Sequence, residues 1–289
     1  MSVADPGFAG RVADNKRRAT LLIAASAGVV ATVVGLVALV LAGPVVALAV
    51  FVVVGAAVAA AAWWGSEPLA VRLLGAAPAD PVTHARLFNL VEGLCANAGV
   101  PQPALHVLPD PGINALSMGR NPRHATLVVT AGLLEQLNRV ELEAVLAHEL
   151  SHIKSDDILT ATVAVALCGL LGAPARAAAG HGPGAVGGLL LLPVSALAGL
   201  GLRLAVDPLR EELADASGVS LTRYPPALVS ALEKMQRSGT LVASGSAATA
   251  HLWLARSVPA PESDRLPWLS RLFETHPPLE ERIEALREL

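Results

Sequence analysis

Two histidines stand four residues apart around a glutamate in His148-Glu149-Leu150-Ser151-His152. On a helix, residues i and i+4 lie one turn apart on the same face. Both imidazoles can then aim a ring nitrogen at one ion, at about 2.0–2.1 Å if the ion is zinc. Glu149, beside the first histidine, can take the proton from a water activated by that ion, and the resulting hydroxide attacks a polarised peptide carbonyl. The competing reading is an amphipathic helix whose histidines are exposed or hydrogen-bonded to neighbours.

Zinc suits two imidazoles, one carboxylate and an open fourth position, so a third ligand must come from elsewhere. Beyond a long apolar block, and apart from Asp207, the next carboxylates lie in Asp-Pro-Leu-Arg-Glu-Glu-Leu-Ala-Asp-Ala-Ser-Gly, residues 207–218. Glu211 and Asp215 are four apart and share a helix face. Glu211 can complete a two-histidine, one-glutamate site, and Asp215, one turn on, can accept the outer N–H of a ligand histidine and fix its tautomer. Glu212 competes as ligand but points about 100° away from that face. Without the histidine pair, Glu211 and Asp215 would read as a solvated acidic helix face.

The elements that must hold these residues can be read around them. Asn138 with Glu141 three residues later forms a capping-box start for the helix that carries the histidines. Three short strands are expected over Ala104–Leu108, Ile113–Met118 and Ala125–Thr130, with Pro109-Asp110-Pro111-Gly112 and Gly119-Arg120-Asn121-Pro122 as the turns. The spacing of Leu87, Leu90, Val91 and Leu94 predicts a helix over Pro81–Ala98. Thr130 is placed to cap a short helix, Asp207-Pro208 reads as an N-cap followed by proline, and a last helix starts at Pro277-Pro278.

The rest of the composition is not that of a soluble protein. Of 289 residues, 53% are hydrophobic, 16% charged and 3% aromatic, which points to a membrane protein with a water-facing part. Residues 1–18 form a polar tail. Residues 19–65 form a first transmembrane hairpin, divided at Gly43-Pro44 and ending near Trp63-Trp64, where interfacial aromatics belong. A signal peptide is the weaker reading, because the apolar run is too long and a second one follows at once. Arg11, Lys16, Arg17 and Arg18 precede the hairpin while its turn carries no basic residue, so both flanks are expected inside the cell. Residues 66–157 form the first catalytic part, residues 158–206 a second hairpin, and residues 207–289 the second catalytic part. A buried or in-plane helical pair is the rival for 158–206, since Ile158–Ala173 is short for a span. Residues 238–249 read as a mobile loop. The net charge of −3 argues against a nucleic-acid partner. Cys95 and Cys168 have neither disulfide-framework nor zinc-ribbon spacing, which fits a reducing compartment.

At this point the chain resembles the M48 peptidases, specifically the HtpX-like membrane metalloproteases. The resemblance rests on NALSMGRNPRHATLVVTAGLLEQL, ELEAVLAHELSHIKSDD, REELAD and LFETHPPLEERIEAL, in that order. It implies a zincin-like, gluzincin-type α+β fold, mainly helical with a small sheet, carried on about four transmembrane helices in two hairpins. It also implies a zinc endopeptidase of the bacterial cytoplasmic membrane, independent of ATP, that acts on damaged or misfolded membrane proteins. One Zn²⁺ per chain is implied, held by His148, His152 and Glu211, with Glu149 as base and Asp215 beyond the ligands. By the same resemblance, His276 helps hold the scissile carbonyl, with a helix cap as its plain alternative, and Arg282 lies near the site. Asn114 and the strand containing Ala125, Thr126, Leu127 and Val128 would line the substrate cleft and pair with the peptide by strand addition. The catalytic parts and both termini would face the cytoplasm.

The chain departs from the family where Glu212 replaces a frequent aromatic. His84, His106, His124, His181 and His251 match nothing catalytic. Two other functions compete: a CAAX-type prenyl-protein protease, which would need more membrane spans, and a non-catalytic membrane scaffold or sensor, which would not need Glu149.

Overall fold

A charge-free run broken by one left-handed glycine folds as a helical hairpin. The computed structural model describes residues 6–163, 209–238, 253–254 and 277–289. Helix α1 spans Pro6–Ala42, Gly43 turns the chain at φ 84°, and α2 spans Pro44–Ala60 with proline in its first turn. The residues expected as a polar tail are helical from Pro6 onward, so Arg11, Lys16, Arg17 and Arg18 ride on the same helix as the apolar run. A π-turn over Ala61–Gly65 carries Trp63 and Trp64 and leads into α3, Ser66–Leu74. Phe8–Ala42 and Pro44–Leu74 are each long and apolar enough to cross a membrane. Leu36, Val40, Leu41, Val45, Leu48 and Val53 on them are exposed. Of the second expected hairpin, 158–163 is helical, and the remainder to 206 lies outside the described residues. So do Asp207-Pro208 and residues 239–249 of the expected loop.

The sheet is small and mixed, in the order β1-β2-β4-β3. Its strands are β1 (Ala77–Pro78), β2 (Ala104–Leu108), β3 (Ala115–Asn121) and β4 (His124–Thr130). Strand β2 runs parallel to β4, and β3 pairs with β4 antiparallel with Leu116 opposite Val128. The second expected strand began at Ile113, but pairing starts at Ala115 and runs on to Asn121. Gly119, at φ 145° beside the irregularity in register, makes that extension possible: a Cβ there would collide with the His124 carbonyl. Residue Asn121 is kept extended by Pro122 behind it.

The helix expected from Pro81 forms as α4, Ala85–Ala98. Its start is delayed because the Asp80 carboxylate accepts from Thr83 N at 2.6 Å, closing a turn that competes with helix. Thr130 caps α5 (Ala131–Gln136) by accepting from Leu133 N. Asn138 and Glu141 form the reciprocal capping box of α6, Arg139–Ser155. Helices α7 (Arg210–Thr222), α8 (Pro225–Ser238) and α9 (Leu279–Arg287) follow.

Period-two alternation along the strands divides the core. Ala115, Leu127 and Val129 face the larger cluster with Leu142, Leu146 and Leu150 of α6, Leu228 and Leu232 of α8, and Ile283 and Leu286 of α9. Leu116, Met118 and Val128 face the opposite way, against Ala70 and Leu74 of α3, Ala161 and the fully buried Trp253. Each fully buried leucine contributes about 1.5–3 kcal/mol of burial free energy. Helix α6 is buried at nearly every position from Glu141 to Ile153, and its buried Glu141 is held by Ser230 and Lys234. Among the described residues the fold is α+β, mostly helical with this one small sheet.

Candidate metal centre

Helix α6 brings His148 and His152 to one face, and α7 lies directly against it. A Cβ on Gly218 would sit 2.9 Å from His148 N and 3.1 Å from its Cα, so the two backbones touch there. Going back along α7 from Gly218, Asp215 meets His148 and Glu211 lies between the two histidines. The helices therefore run antiparallel, and the spacing 211, 215, 218 keeps one α7 face on α6. His148, Glu149, His152, Glu211 and Asp215 are all buried.

The histidine Nε2 atoms are 3.1 Å apart. Glu211 places Oε2 3.6 Å from His148 Nε2 and Oε1 3.7 Å from His152 Nε2. The outer nitrogens are both occupied: His148 Nδ1 is 2.8 Å from Asp215 Oδ1, and His152 Nδ1 is 2.8 Å from Asp157 Oδ2. An ionised carboxylate only accepts, so each Nδ1 carries the proton between the two atoms. Two neutral imidazoles held this way present their Nε2 lone pairs to each other and to the Glu211 carboxylate. Such a meeting of lone pairs calls for a cation. A tetrahedral zinc with ligands at about 2.0–2.1 Å has ligand–ligand edges of about 3.3 Å, close to the three observed separations. The donor set of two imidazole nitrogens and one carboxylate fits a metal ion, and the three ligand atoms lie within 4.8 Å of one another.

Two buried guanidiniums complete the surroundings. Arg282 holds Asp215 with Nε to Oδ2 at 2.8 Å and Nη2 to Oδ1 at 2.7 Å, and its Nη1 donates to the Leu254 carbonyl at 2.8 Å. The same Nη1 is 3.3 Å from Glu211 Oε2. Arg210 Nε lies 3.2 Å from Glu211 Oε1 and 3.9 Å from Asp157 Oδ2. Glu149 lies in the field of both arginines. Four carboxylate side chains (Glu149, Asp157, Glu211, Asp215) thus gather around two guanidiniums and the two histidines, a setting that favours a cation.

Titration follows this geometry. Burial alone pushes the His148 pKa down, but the Asp215 charge and hydrogen bonds to Asp215 and Glu211 outweigh it and raise it to about 9. Burial likewise pushes the Asp215 carboxyl up, and the neighbouring Arg282 and His148 more than reverse this, holding it below its ordinary value. For Arg282, burial is again overcome by Asp215, and the pKa is raised.

The structure brings together His148, Glu149, His152, Glu211, Asp215 and Arg282 in one buried cluster. Glu212 is exposed and points elsewhere. His276 lies outside the described residues. Asn114 is buried at the head of β3, where its Oδ1 accepts from Ala115 N. Ala125, Thr126, Leu127 and Val128 are buried in β4, and Thr126 Oγ1 donates to Glu67 of α3. The expectation of strand addition along these four residues is corrected by the topology. Strand β4 is paired with β2 on one side and β3 on the other, so it has no free main-chain edge.

Three contributors were not apparent from spacing. Asp157 follows His152 by five residues, a separation that does not share a helix face. It reaches the ring because Asp156 ends α6 in the left-handed conformation, φ 61°, and turns the chain back. Arg210 precedes the ligand in Arg-Glu-Glu and could have been noted as a cation beside it. The Leu254 carbonyl carries no sequence signal at all.

A buried two-histidine, one-carboxylate cluster shared by two antiparallel helices beside a small mixed sheet fits a metal-dependent hydrolase. Peptidase family M48 matches residues 81–289, and the chain belongs to that family. A protease HtpX homolog of Caldanaerobacter subterraneus subsp. tengcongensis is 37% identical over 242 residues, 78% of each chain. The protease HtpX homolog of Tropheryma whipplei strain Twist is 38% identical over 236 residues, covering 78% of this chain and 79% of the relative. That of Dictyoglomus turgidum is 40% identical over 214 residues, 70% and 68% of the two chains. A crystal structure of S. mikatae Ste24p aligns at TM-score 0.46 and 20% identity over 78% of this chain and 55% of that one.

Proposed function

We propose that this metallopeptidase is a zinc endopeptidase held at the cytoplasmic face of a membrane, where it cuts misfolded or damaged membrane proteins. The observation that carries the reading is the convergence of His148 Nε2, His152 Nε2 and Glu211 at 3.1–3.7 Å, with each outer histidine nitrogen 2.8 Å from an aspartate oxygen. The ion is assigned as zinc from the chemistry of the donors: imidazole and a single carboxylate suit it better than they suit calcium or magnesium.

Zinc, when bound, supplies a Lewis acid for the scissile carbonyl and makes water acidic enough to be deprotonated near neutral pH. The chain supplies the rest. Glu149 takes the proton from the attacking water and passes it to the leaving amine. Asp215 keeps the His148 proton on Nδ1, and Arg282 keeps Asp215 charged and in place. His276 is assigned to the scissile carbonyl. Asn114, the residue just before β3, is assigned to the substrate cleft.

Membrane attachment is supported by the two long apolar helices and by their contacts with the catalytic body. Asn15 Nδ2 of α1 donates to Ser155 O at 2.9 Å, and Lys16 pairs with Asp156 at 3.0 Å, both at the end of the metal helix. Glu67, just beyond the tryptophans, accepts from Thr126 of β4. Residues 66–157 and 207–289 are assigned to one catalytic body, with 158–206 as a second hairpin. The basic residues before the first span assign both catalytic parts to the cytoplasmic side.

The test is cleavage of an unfolded membrane-protein reporter by wild type and Glu149→Gln in proteoliposomes, with metal content measured on both. The variant is expected to keep its metal and lose roughly 10²-fold or more in rate. Equal rates would overturn the mechanism. Metal-replete, folded wild type without stoichiometric zinc would overturn the assignment of the ion.

A further inference from the structure

The metal centre contains a buried carboxylate that neither the ligand set nor the Asp215–Arg282 pair accounts for. Asp157 Oδ2 lies 2.8 Å from His152 Nδ1, and the residue is only 8% exposed. Its backbone is placed by the left-handed turn at Asp156, whose N–H returns to the Ile153 carbonyl. Arg210, on the other side, places Nε 3.9 Å from the same Asp157 oxygen.

We propose that Asp157 is the positioning residue for His152, so that each ligand histidine has its own carboxylate, Asp215 for His148 and Asp157 for His152. The inference rests on the metal-peptidase reading above. Its physical content is the tautomer. A neutral imidazole carries one N–H, and whichever nitrogen holds it cannot bind a metal. The acceptor on Nδ1 keeps the proton there, leaves the Nε2 lone pair free and fixes the ring plane toward Glu211. Without Asp157 the His152 ring gains the other tautomer and rotational freedom, both of which compete with metal binding. Asp156, the adjacent residue, has no such role: its buried carboxylate pairs at 3.0 Å with Lys16, whose side chain is 61% exposed.

The experiment is a zinc competition titration against a chelator, using the full chain in detergent, for wild type, Asp157→Asn and Asp156→Asn. The two variants remove the same charge one residue apart. Asp157→Asn is expected to bind zinc roughly 10–100-fold more weakly, while Asp156→Asn, which loses only a partly exposed pair, stays within about twofold of wild type. Thermal unfolding of the metal-free proteins separates affinity from folding. If Asp157→Asn does not fold, Asp157→Glu takes its place, and the displaced carboxylate is expected to weaken zinc binding several-fold. Unchanged affinity in the Asp157 variant would overturn the proposal, as would equal losses in both aspartate variants. A wild type that binds no zinc would instead overturn the metal-peptidase reading, and this inference with it.

Discussion

The Nε2 atoms of His148 and His152 face each other across 3.1 Å while each ring's Nδ1 is held by a separate aspartate. In the metal-free protein His148 holds a proton instead: the Asp215 charge and the contacts with Asp215 and Glu211 outweigh burial and raise its pKa to about 9. Metal binding needs the neutral imidazole, so the cation displaces that proton. Because the pKa is raised, the proton is held throughout the range below about 9 and is lost only as pH rises through it. Apparent metal affinity should therefore climb about tenfold per pH unit from neutrality toward pH 9 and then level off. Calorimetry at pH 7 in buffers of different ionisation enthalpy should report about one proton released per metal bound. No release at pH 7 would contradict the geometry.

Glu211 and its neighbour Glu212 give a sharp contrast. Glu211 is buried between both histidines and two arginines, whereas Glu212 faces solvent. Glu211→Gln should lose more metal affinity than the roughly 10–100-fold that an outer carboxylate commands. Glu212→Gln should leave affinity unchanged and alter stability by no more than about 0.5 kcal/mol. Chelator competition and thermal unfolding on the same preparations decide it.

How much of this was legible in the sequence follows from where each signal lies. The i, i+4 pairs His148/His152 and Glu211/Asp215 were readable because helical periodicity places them without knowledge of the fold. The capping boundaries at Thr130 and Asn138 were readable for the same local reason. Asp157 was not, because its approach to His152 depends on one left-handed residue at Asp156. The central position of β4 was not either: strand order is set by the parallel crossover from β2, over the intervening β3, and no local pattern in Ala125–Val128 distinguishes a middle strand from an edge. The spacing of Leu87, Leu90, Val91 and Leu94 placed α4 but not its first turn, where the Asp80–Thr83 turn wins locally.

Gly218 tests the helix contact that brings the ligands together. A methyl group there meets His148 N at 2.9 Å and its Cα at 3.1 Å, and the contact is backbone, which cannot rotate away. Gly218→Ala must therefore separate α7 from α6. The expected cost is about 1–3 kcal/mol in the metal-free protein. A further loss should appear on metal loading, because Asp215 and Glu211 lie on the displaced face. Thermal unfolding with and without zinc measures both parts. A variant stabilised by zinc as much as wild type would show that the helices do not need this contact to form the site.

Arg282 is the least replaceable cation of the cluster. It engages Asp215 through two nitrogens and gives a third contact to the Leu254 carbonyl, all in a buried setting. Lysine carries the charge but not the planar fork, so Arg282→Lys should behave nearly as a deletion. Breaking a buried pair on one side costs about 3–5 kcal/mol, chiefly because the abandoned charge stays buried. Arg282→Met should thus destabilise by about that amount, and adding Asp215→Asn to it should recover part of the loss by removing the stranded carboxylate. Metal affinity should not recover in the double variant, since His148 still lacks its charged acceptor. Denaturant unfolding of the metal-free proteins, paired with zinc titration, separates the two effects. Additive stability losses in the double variant would show that Arg282 and Asp215 act independently, against the 2.7–2.8 Å contacts between them.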